Sequence, residues 1–231
     1  MGQEARSDQI RQMFDAIAPG YDARNRLFSV ARDHAWRRRA AERANLHPGQ
    51  TVLDLCTGTG KLAHELLSST RPGGRVIGID FSQPMLERAR KLEPEVEFRL
   101  GDVSRLSEPD ASVDAITIGF GLRNLVDREQ ALGEMRRVLR PGGRLVILEF
   151  APPPSGPLMR AYRFYLTRVM PAIAGRLSAG ERHAYRYLAE TVQGFPQPSE
   201  LAAALERLGF AVTVEPLTFG IVVLHVAVRR G

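Results

Sequence analysis

Residues Thr51–Gly60 read TVLDLCTGTG. Apolar and β-branched side chains dominate Thr51–Leu55, the pattern of a buried strand, and one acid, Asp54, sits near its end. A glycine turn follows, Gly58-Thr59-Gly60, and a helical pattern begins near Lys61. Strand, tight turn and helix in that order make a nucleotide cradle. The glycines let the backbone approach a ligand, and free N–H groups at the helix N-terminus face it.

Outward from this stretch, strands and helices alternate. Arg75–Asp80 reads as a second strand, followed by a helix from Ser82, a good N-cap, to Leu92. Val96–Leu100 and Val113–Gly119 are the third and fourth strands, and Asp127 with Gln130 caps the helix after them. Arg144–Phe150 is the fifth, after the turn Pro141-Gly142-Gly143. Residues 151–197 break the rhythm, with a proline-rich linker, Ala151–Pro157, and helical patterns at Leu158–Ile173 and Glu181–Gln193. A last helix, Ser199–Leu208, leads to strands at Ala211–Leu217 and Ile221–Arg229, close enough around Gly220 to require a hairpin. The expected fold is α/β and Rossmann-like: a mainly parallel seven-stranded sheet with an antiparallel last strand and helices on both faces. One domain is expected over 1–231. It comprises a helical extension over 1–50, a cofactor-binding core over 51–150, a helical insertion over 151–197, and the last helix with its hairpin over 198–231.

The chain has 231 residues, enough for one sizeable core. No run of about 18 apolar residues is present, and MGQEARSDQIRQMF lacks an apolar signal core, so a cytoplasmic protein is expected. Cys56, the sole cysteine, cannot form an internal disulfide and reads as a packed residue. The net charge of +6, carried mainly by arginine, admits a membrane surface or a nucleic acid as partner. Arg37–Arg39 and Arg136–Arg140 are the clusters. His34, His47, His64, His183 and His225 show no metal-ligand spacing, and no metal is expected.

Gly58-Thr59-Gly60-Lys61-Leu62-Ala63 satisfies G-x-G-x-x-A, and Asp80 follows about 20 residues later, as in a dinucleotide site. An acid there suits any ribose diol. Asp54 and Gly101-Asp102 shift the balance. Three acids at the ends of three successive strands fit a cationic sulfonium amino acid, S-adenosylmethionine, better than a dianionic dinucleotide. The closing hairpin likewise favours a class I methyltransferase sheet. An NAD(P)-dependent oxidoreductase is the competing reading, although no Tyr-x-x-x-Lys pair occurs. Nucleic acid is not expected as a substrate, because the place after the fourth strand reads Gly-Phe-Gly-Leu-Arg-Asn and lacks a Pro-Pro-aromatic grip.

Several separate stretches resemble the ubiquinone/menaquinone biosynthesis C-methyltransferase family along nearly the whole chain. They are Tyr21–Ser29 with Trp36, Gly119–Asn124, Arg137–Gly143 with Glu149, Tyr185–Leu188 with Phe195-Pro196, and Gly220–His225. The chain departs from the family pattern at Arg24, at Asp33 (a family histidine position, with His34 next along), at Gly119 in place of a serine, and at Ala151. The resemblance implies methyl transfer from S-adenosylmethionine to a ring carbon of a polyprenylated quinol. Its cofactor contacts fall on Thr59, Asp80, Asp102 and Val103. The full set expected around the cofactor is Tyr21, Asp54, Gly58, Thr59, Gly60, Asp80, Phe81, Asp102, Val103 and Gly119.

Beyond the cofactor, Arg123 is expected to stabilise a phenolate or polarise a water, with Asn124 orienting it. Tyr21 and Asp22 belong to a covering segment, and His34 is a better acid/base candidate than His225. Tyr162, Phe164, Tyr165, Leu166, Val169 and Met170 offer an apolar wall for a lipid tail. Demethylmenaquinol is preferred as substrate over the 2-polyprenyl-6-methoxy-1,4-benzoquinol of the ubiquinone route. Peripheral membrane contact and a homodimer are further expectations.

Overall fold

A computed structural model describes residues 2–19, 21–22, 29, 32–152, 164, 168 and 179–231. Helices α1 (Gln3–Ile17) and α2 (Asp33–Ala44) precede the sheet. Then follow β1 (Thr51–Leu55), α3 (Lys61–Thr70), β2 (Arg75–Asp80), α4 (Gln83–Leu92), β3 (Glu97–Leu100) and β4 (Val113–Gly119). A 3-10 turn, Leu122–Asn124, leads to α5 (Arg128–Val138) and β5 (Leu139–Phe150). After the insertion come α6 (Ala179–Gln193), α7 (Pro198–Arg207), β6 (Phe210–Leu217) and β7 (Val222–Arg229).

The seven strands form one sheet in the order β3-β2-β1-β4-β5-β7-β6. Pairing is parallel from β3 to β5, and β7 runs antiparallel to both of its neighbours. Period-two alternation sorts the strand side chains onto two faces. Leu53, Leu55, Ile77, Ile79, Ile116, Ile118 and Ile147 pack with Ala131, Leu132 and Met135 of α5 and with Leu201 and Leu205 of α7. Val52, Val76, Phe98, Ala115, Val146 and Leu148 pack with Trp36, Ala40, Leu62, Leu66 and Leu86 of α2, α3 and α4. Leu53, Leu55, Ile116 and Ile118 have no exposed surface, and burying each such side chain contributes roughly 1.5–3 kcal/mol.

Strand order reverses between β1 and β4, so a crevice opens at their carboxyl ends, where open α/β sheets bind ligands. The caps form as the sequence requires: Ser82 Oγ accepts from Met85 N, and Asp127 Oδ1 accepts from Gln130 N at 2.9 Å.

β5 differs from expectation by starting at Leu139, so Pro141-Gly142-Gly143 lies within its span. Leu139 pairs with Val113, the register shifts, and pairing resumes at Arg144 with Ala115. The Pro-Gly-Gly stretch is thus an irregularity inside the strand, with Gly142 at φ 79°. The expected helix at Leu158–Ile173 and the wall residues Tyr162, Tyr165, Leu166, Val169 and Met170 lie outside the described residues, as do Arg24, Asn25 and Phe28. Phe164 is described and is 61% exposed. Among the described residues no helix is long and apolar enough to cross a membrane.

Candidate active site

The glycine turn leaves β1 through left-handed backbone at Cys56, Gly58 and Gly60, with φ 51°, 56° and 82°. At Gly60 a Cβ would lie 2.8 Å from the Phe98 ring, so glycine is needed for room as well as for the sign of φ. The Gly58 N–H donates to Asp80 Oδ2 at 2.8 Å, and the Ser82 N–H donates to Asp80 Oδ1 at 2.9 Å. Each Asp80 oxygen therefore keeps acceptor capacity beside the turn, as a ribose diol requires. Burial pushes the Asp80 carboxyl up to about 6, against the backbone N–H groups that hold it down, and the nearby Asp15 adds to the rise.

Asp54 is the one acid among the buried residues of β1, opposite Gly78 of β2 and Thr117 of β4. Thr57 Oγ1 donates to its Oδ2 at 2.6 Å and Thr117 Oγ1 to its Oδ1 at 2.7 Å. Burial pushes this carboxyl also up to about 6, and the hydroxyls and Arg37 pull the other way. Asp102 is exposed after β3, with Oδ1 taken by the Ser104 N–H at 2.8 Å and hydroxyl at 2.7 Å, while Val103 beside it is buried. Gly119 ends β4, where a Cβ would come within 3.1 Å of Leu62. The Cys56 thiol is pushed up by burial and by the acids Asp80 and Asp54, so it is inert as a nucleophile.

The N-terminal region closes over this turn with contacts that motif reasoning did not supply. Phe14 of α1 packs on Phe81 and on Tyr21, with ring centroids 6.2 and 6.3 Å apart. Ser82 Oγ donates to Asp15 at 2.5 Å. Thr59 Oγ1 donates to Asp22 at 2.7 Å, and Lys61 Nζ lies 3.4 Å from Asp22 and 3.8 Å from Asp33. Asp33 holds Arg37 at 2.8 Å in a buried pair. Arg37 is thus an interior residue of α2, and Arg39 is committed to Glu215 at 2.7 Å. The Arg37–Arg39 run is therefore largely internal wiring and not a free basic patch.

Arg123 and Asn124 lie just beyond β4. Arg123 Nη1 donates to Glu149 Oε1 at 2.7 Å and to the Phe120 carbonyl at 2.5 Å, and its backbone N–H reaches Glu149 Oε2 at 3.2 Å. The guanidinium lies 5.6 Å from the centre of the Phe150 ring. Among the described residues, few buried side-chain atoms lack a protein partner, and two of those fall here on consecutive residues: Arg123 Nε and Asn124 Oδ1. Tyr187 of α6 has its hydroxyl pushed up by burial, and it feels both Arg123 and Glu149. Trp36, Phe120 and Phe150 stack next to this pair, with centroids 4.8 to 6.3 Å apart. His34 is exposed and tied to Glu65 at 2.9 Å, and His225 is buried with Nε2 on the Pro198 carbonyl at 2.9 Å. Burial pushes His225 down, so it stays neutral.

The residues fit S-adenosylmethionine. Asp80 retains lone pairs for a diol, the Gly58 side of the turn is open to a ligand, and two buried acids, Asp54 and Asp80, stand at or near the carboxyl ends of β1 and β2. No group of three potential metal ligands occurs among the described residues. Residues 2–229 match the model of the ubiE/COQ5 methyltransferase family. A demethylmenaquinone methyltransferase of Thermus thermophilus is 49% identical over 94% of this chain and 100% of its own. A ubiquinone/menaquinone biosynthesis C-methyltransferase UbiE of Geobacter sulfurreducens is 40% identical over 95% of this chain and 88% of its own. A solved SAM-dependent methyltransferase of Thermotoga maritima superposes with a TM-score of 0.65 at 18% identity, covering 96% of this chain and 100% of that one.

Proposed function

Because the chain belongs to the ubiE/COQ5 methyltransferase family, and is therefore a SAM-dependent methyltransferase, we propose that it methylates a ring carbon of demethylmenaquinol to give menaquinol. The observation that carries the acceptor half is the pair of unpartnered buried atoms, Arg123 Nε and Asn124 Oδ1, beside the end of β4. One is a donor and the other an acceptor, the complement needed for a ring hydroxyl passing to its anion.

S-adenosylmethionine supplies a methyl group already activated by positive charge. Asp80 holds the ribose, Asp102 with Val103 borders the adenine, and Thr59 and Tyr21 close the opening. Asn124 accepts from the hydroxyl before its proton passes to solvent, and Arg123 stabilises the phenolate oxygen as charge flows to the ortho carbon; the ring proton that this carbon then loses restores the hydroxyl, so one proton is released for each methyl group gained. Glu149 is a positioning residue: it fixes the guanidinium and leaves Nε for the substrate. A preorganised donor of this kind contributes about 3–4 kcal/mol when it meets charge that develops in the transition state. The aromatic wall of Trp36, Phe120 and Phe150 excludes water. The protein works in the cytoplasm, peripheral to the membrane that holds the quinol.

The relative named for both pathways favours a second substrate, 2-polyprenyl-6-methoxy-1,4-benzoquinol. Purified protein with S-adenosylmethionine and each quinol in turn tests the assignment by mass spectrometry of the product. A gain of one methyl on demethylmenaquinol supports it, and transfer only to the benzoquinol, or to neither, refutes it.

A further inference from the structure

Tyr187 belongs to the Tyr185–Leu188 stretch, which the methyl-donor site leaves unused. It stands on α6, and helical spacing gives that helix two sides. Leu188, Val192 and then Phe195 recur at intervals of four and three, and Val192 and Phe195 are buried, while Arg186 and Glu190 are exposed. Tyr187 is half-buried, and Thr191, one turn on, has its hydroxyl turned back onto the Tyr187 carbonyl at 2.8 Å. α6 packs against α1 and against the 3-10 turn Leu122–Asn124. The Arg128 guanidinium lies 5.4 Å from the centre of the Phe195 ring and pins the end of α6 to the start of α5.

This packing brings a phenol to the turn that carries Arg123 Nε and Asn124 Oδ1, the two buried atoms without a protein partner. The Tyr187 hydroxyl likewise makes no hydrogen bond among the described residues. The charged groups that act on it are Arg123, Arg6 of α1, Arg128 of α5 and Glu149 of β5. Glu149 is taken up by Arg123 at 2.7 Å, so the surround is positive on balance. Burial outweighs the arginines and pushes the hydroxyl up, so it keeps its proton at neutral pH. A phenol held in that form gives a hydrogen bond and does not act as a base.

We propose that Tyr187 is a catalytic residue of the acceptor site, its hydroxyl donating to the same ring oxygen that Arg123 meets through Nε. One donor comes from the turn after β4 and the other from α6, and together they make an oxyanion hole for the phenolate. No proton leaves Tyr187: the quinol proton goes to solvent, and the tyrosine hydrogen bond strengthens as the ring oxygen gains charge. The inference rests on the quinol reading above.

Tyr187→Phe in the full chain removes the hydroxyl and keeps the ring. Its melting midpoint and its binding of S-adenosylhomocysteine should match those of the unsubstituted protein, and a fall in either would assign Tyr187 to the fold and overturn the proposal. At pH 7, kcat on demethylmenaquinol should drop about ten- to a hundredfold. Loss of a donor to the anion raises the pH at which the bound phenol ionises, so the rising limb of kcat against pH should move up by about one unit or more. With S-adenosylhomocysteine bound, 4-nitro-1-naphthol, a phenol with a coloured anion, should show the same upward move with no methyl transfer. Ionisation of the bound dye at one pH on both proteins overturns the proposal. So does a loss of kcat that is equal at every pH, the mark of a tyrosine that only packs. Failure of the unsubstituted protein to methylate demethylmenaquinol strikes the substrate reading instead, and the dye still reads Tyr187.

Discussion

Arg123 and Glu149 meet at 2.7 Å with both side chains out of solvent, one just past β4 and the other next to last in β5. Gly119 pairs with Leu148 in the ladder, so the sheet register itself delivers the carboxylate to the loop that carries the arginine. Removing one partner strands the other charge in the interior, at a cost of about 3–5 kcal/mol. Arg123→Ala is therefore expected to lower the unfolding midpoint sharply. The double variant Arg123→Ala/Glu149→Ala should regain most of the stability and none of the turnover. Recovery of kcat in the double variant would show that the arginine serves the fold alone.

Asp80→Asn keeps the shape of the side chain and loses the charge on its oxygens. Hydrogen bonds to a charged group are worth about 1.5–3 kcal/mol, so affinity for S-adenosylmethionine should fall by about ten- to a hundredfold. Isothermal titration reads this directly, and an unchanged Kd would remove Asp80 from the ribose site.

Two carboxyls raised from an ordinary value of 3.8 to about 6, Asp54 and Asp80, give stability and binding opposite pH dependences. Between about pH 4 and 6 the folded chain keeps protons that the unfolded chain has released, so stability falls as pH rises through that window, by up to about 3 kcal/mol for each group. Binding of the cofactor needs the Asp80 carboxylate, so affinity should be about tenfold weaker at pH 5 than at pH 7. Denaturant titrations and binding isotherms across that range should slope in opposite directions, and parallel slopes would contradict the assignment.

Asp22→Ala removes the acceptor of the Thr59 hydroxyl and one of the two carboxylates near Lys61. A lost neutral-to-charged hydrogen bond of this size predicts a rise in KM for S-adenosylmethionine of about tenfold with little change in kcat. Initial-rate measurements decide it, and a fall in kcat alone would place Asp22 elsewhere in the mechanism.

Gly121 has no room for a side chain, since a Cβ would stand 2.4 Å from Cys56 Cβ. Gly121→Ala should destabilise by about 1–3 kcal/mol, and Cys56→Ala should not rescue it, because the clash is with Cβ and not with sulfur. Thermal melts of the single and double variants check both statements.

Local chemistry made the strands, the glycine turn and the caps readable. Buried apolar runs, the Gly58–Gly60 turn, Ser82 and Asp127 each announce themselves within a few residues, and β1 to β4 fall within a residue of their expected bounds. The start of β5 is hidden from local chemistry, because Pro141-Gly142-Gly143 has the composition of a turn while its neighbours continue the ladder. In the site, the acids at the strand tips could be named from sequence, but their partners could not. Asp15 reaches Ser82 across 67 positions and Asp22 reaches Thr59 across 37, distances over which a motif carries no information. Asp54 reads as an acid for a ligand, and only the fold shows two threonine hydroxyls already on it. Arg37, in a run of three arginines, reads as surface charge, and only the placement of Asp33 one helical turn earlier explains its burial.

The Ala151 N–H bonds to the Ile221 carbonyl at 3.1 Å, one step beyond the Phe150–Val222 pair, where β5 gives out and β7 begins. The return of the bight that leaves there is fastened by α7, with Leu201 and Leu205 in the core, and by β6, paired along β7. Doubling the length of such a bight raises its closure cost by only about 0.6 kcal/mol. Descendants of this gene could therefore lengthen that bight while the parallel half of the sheet keeps its register. New specificities would be grafted at that seam.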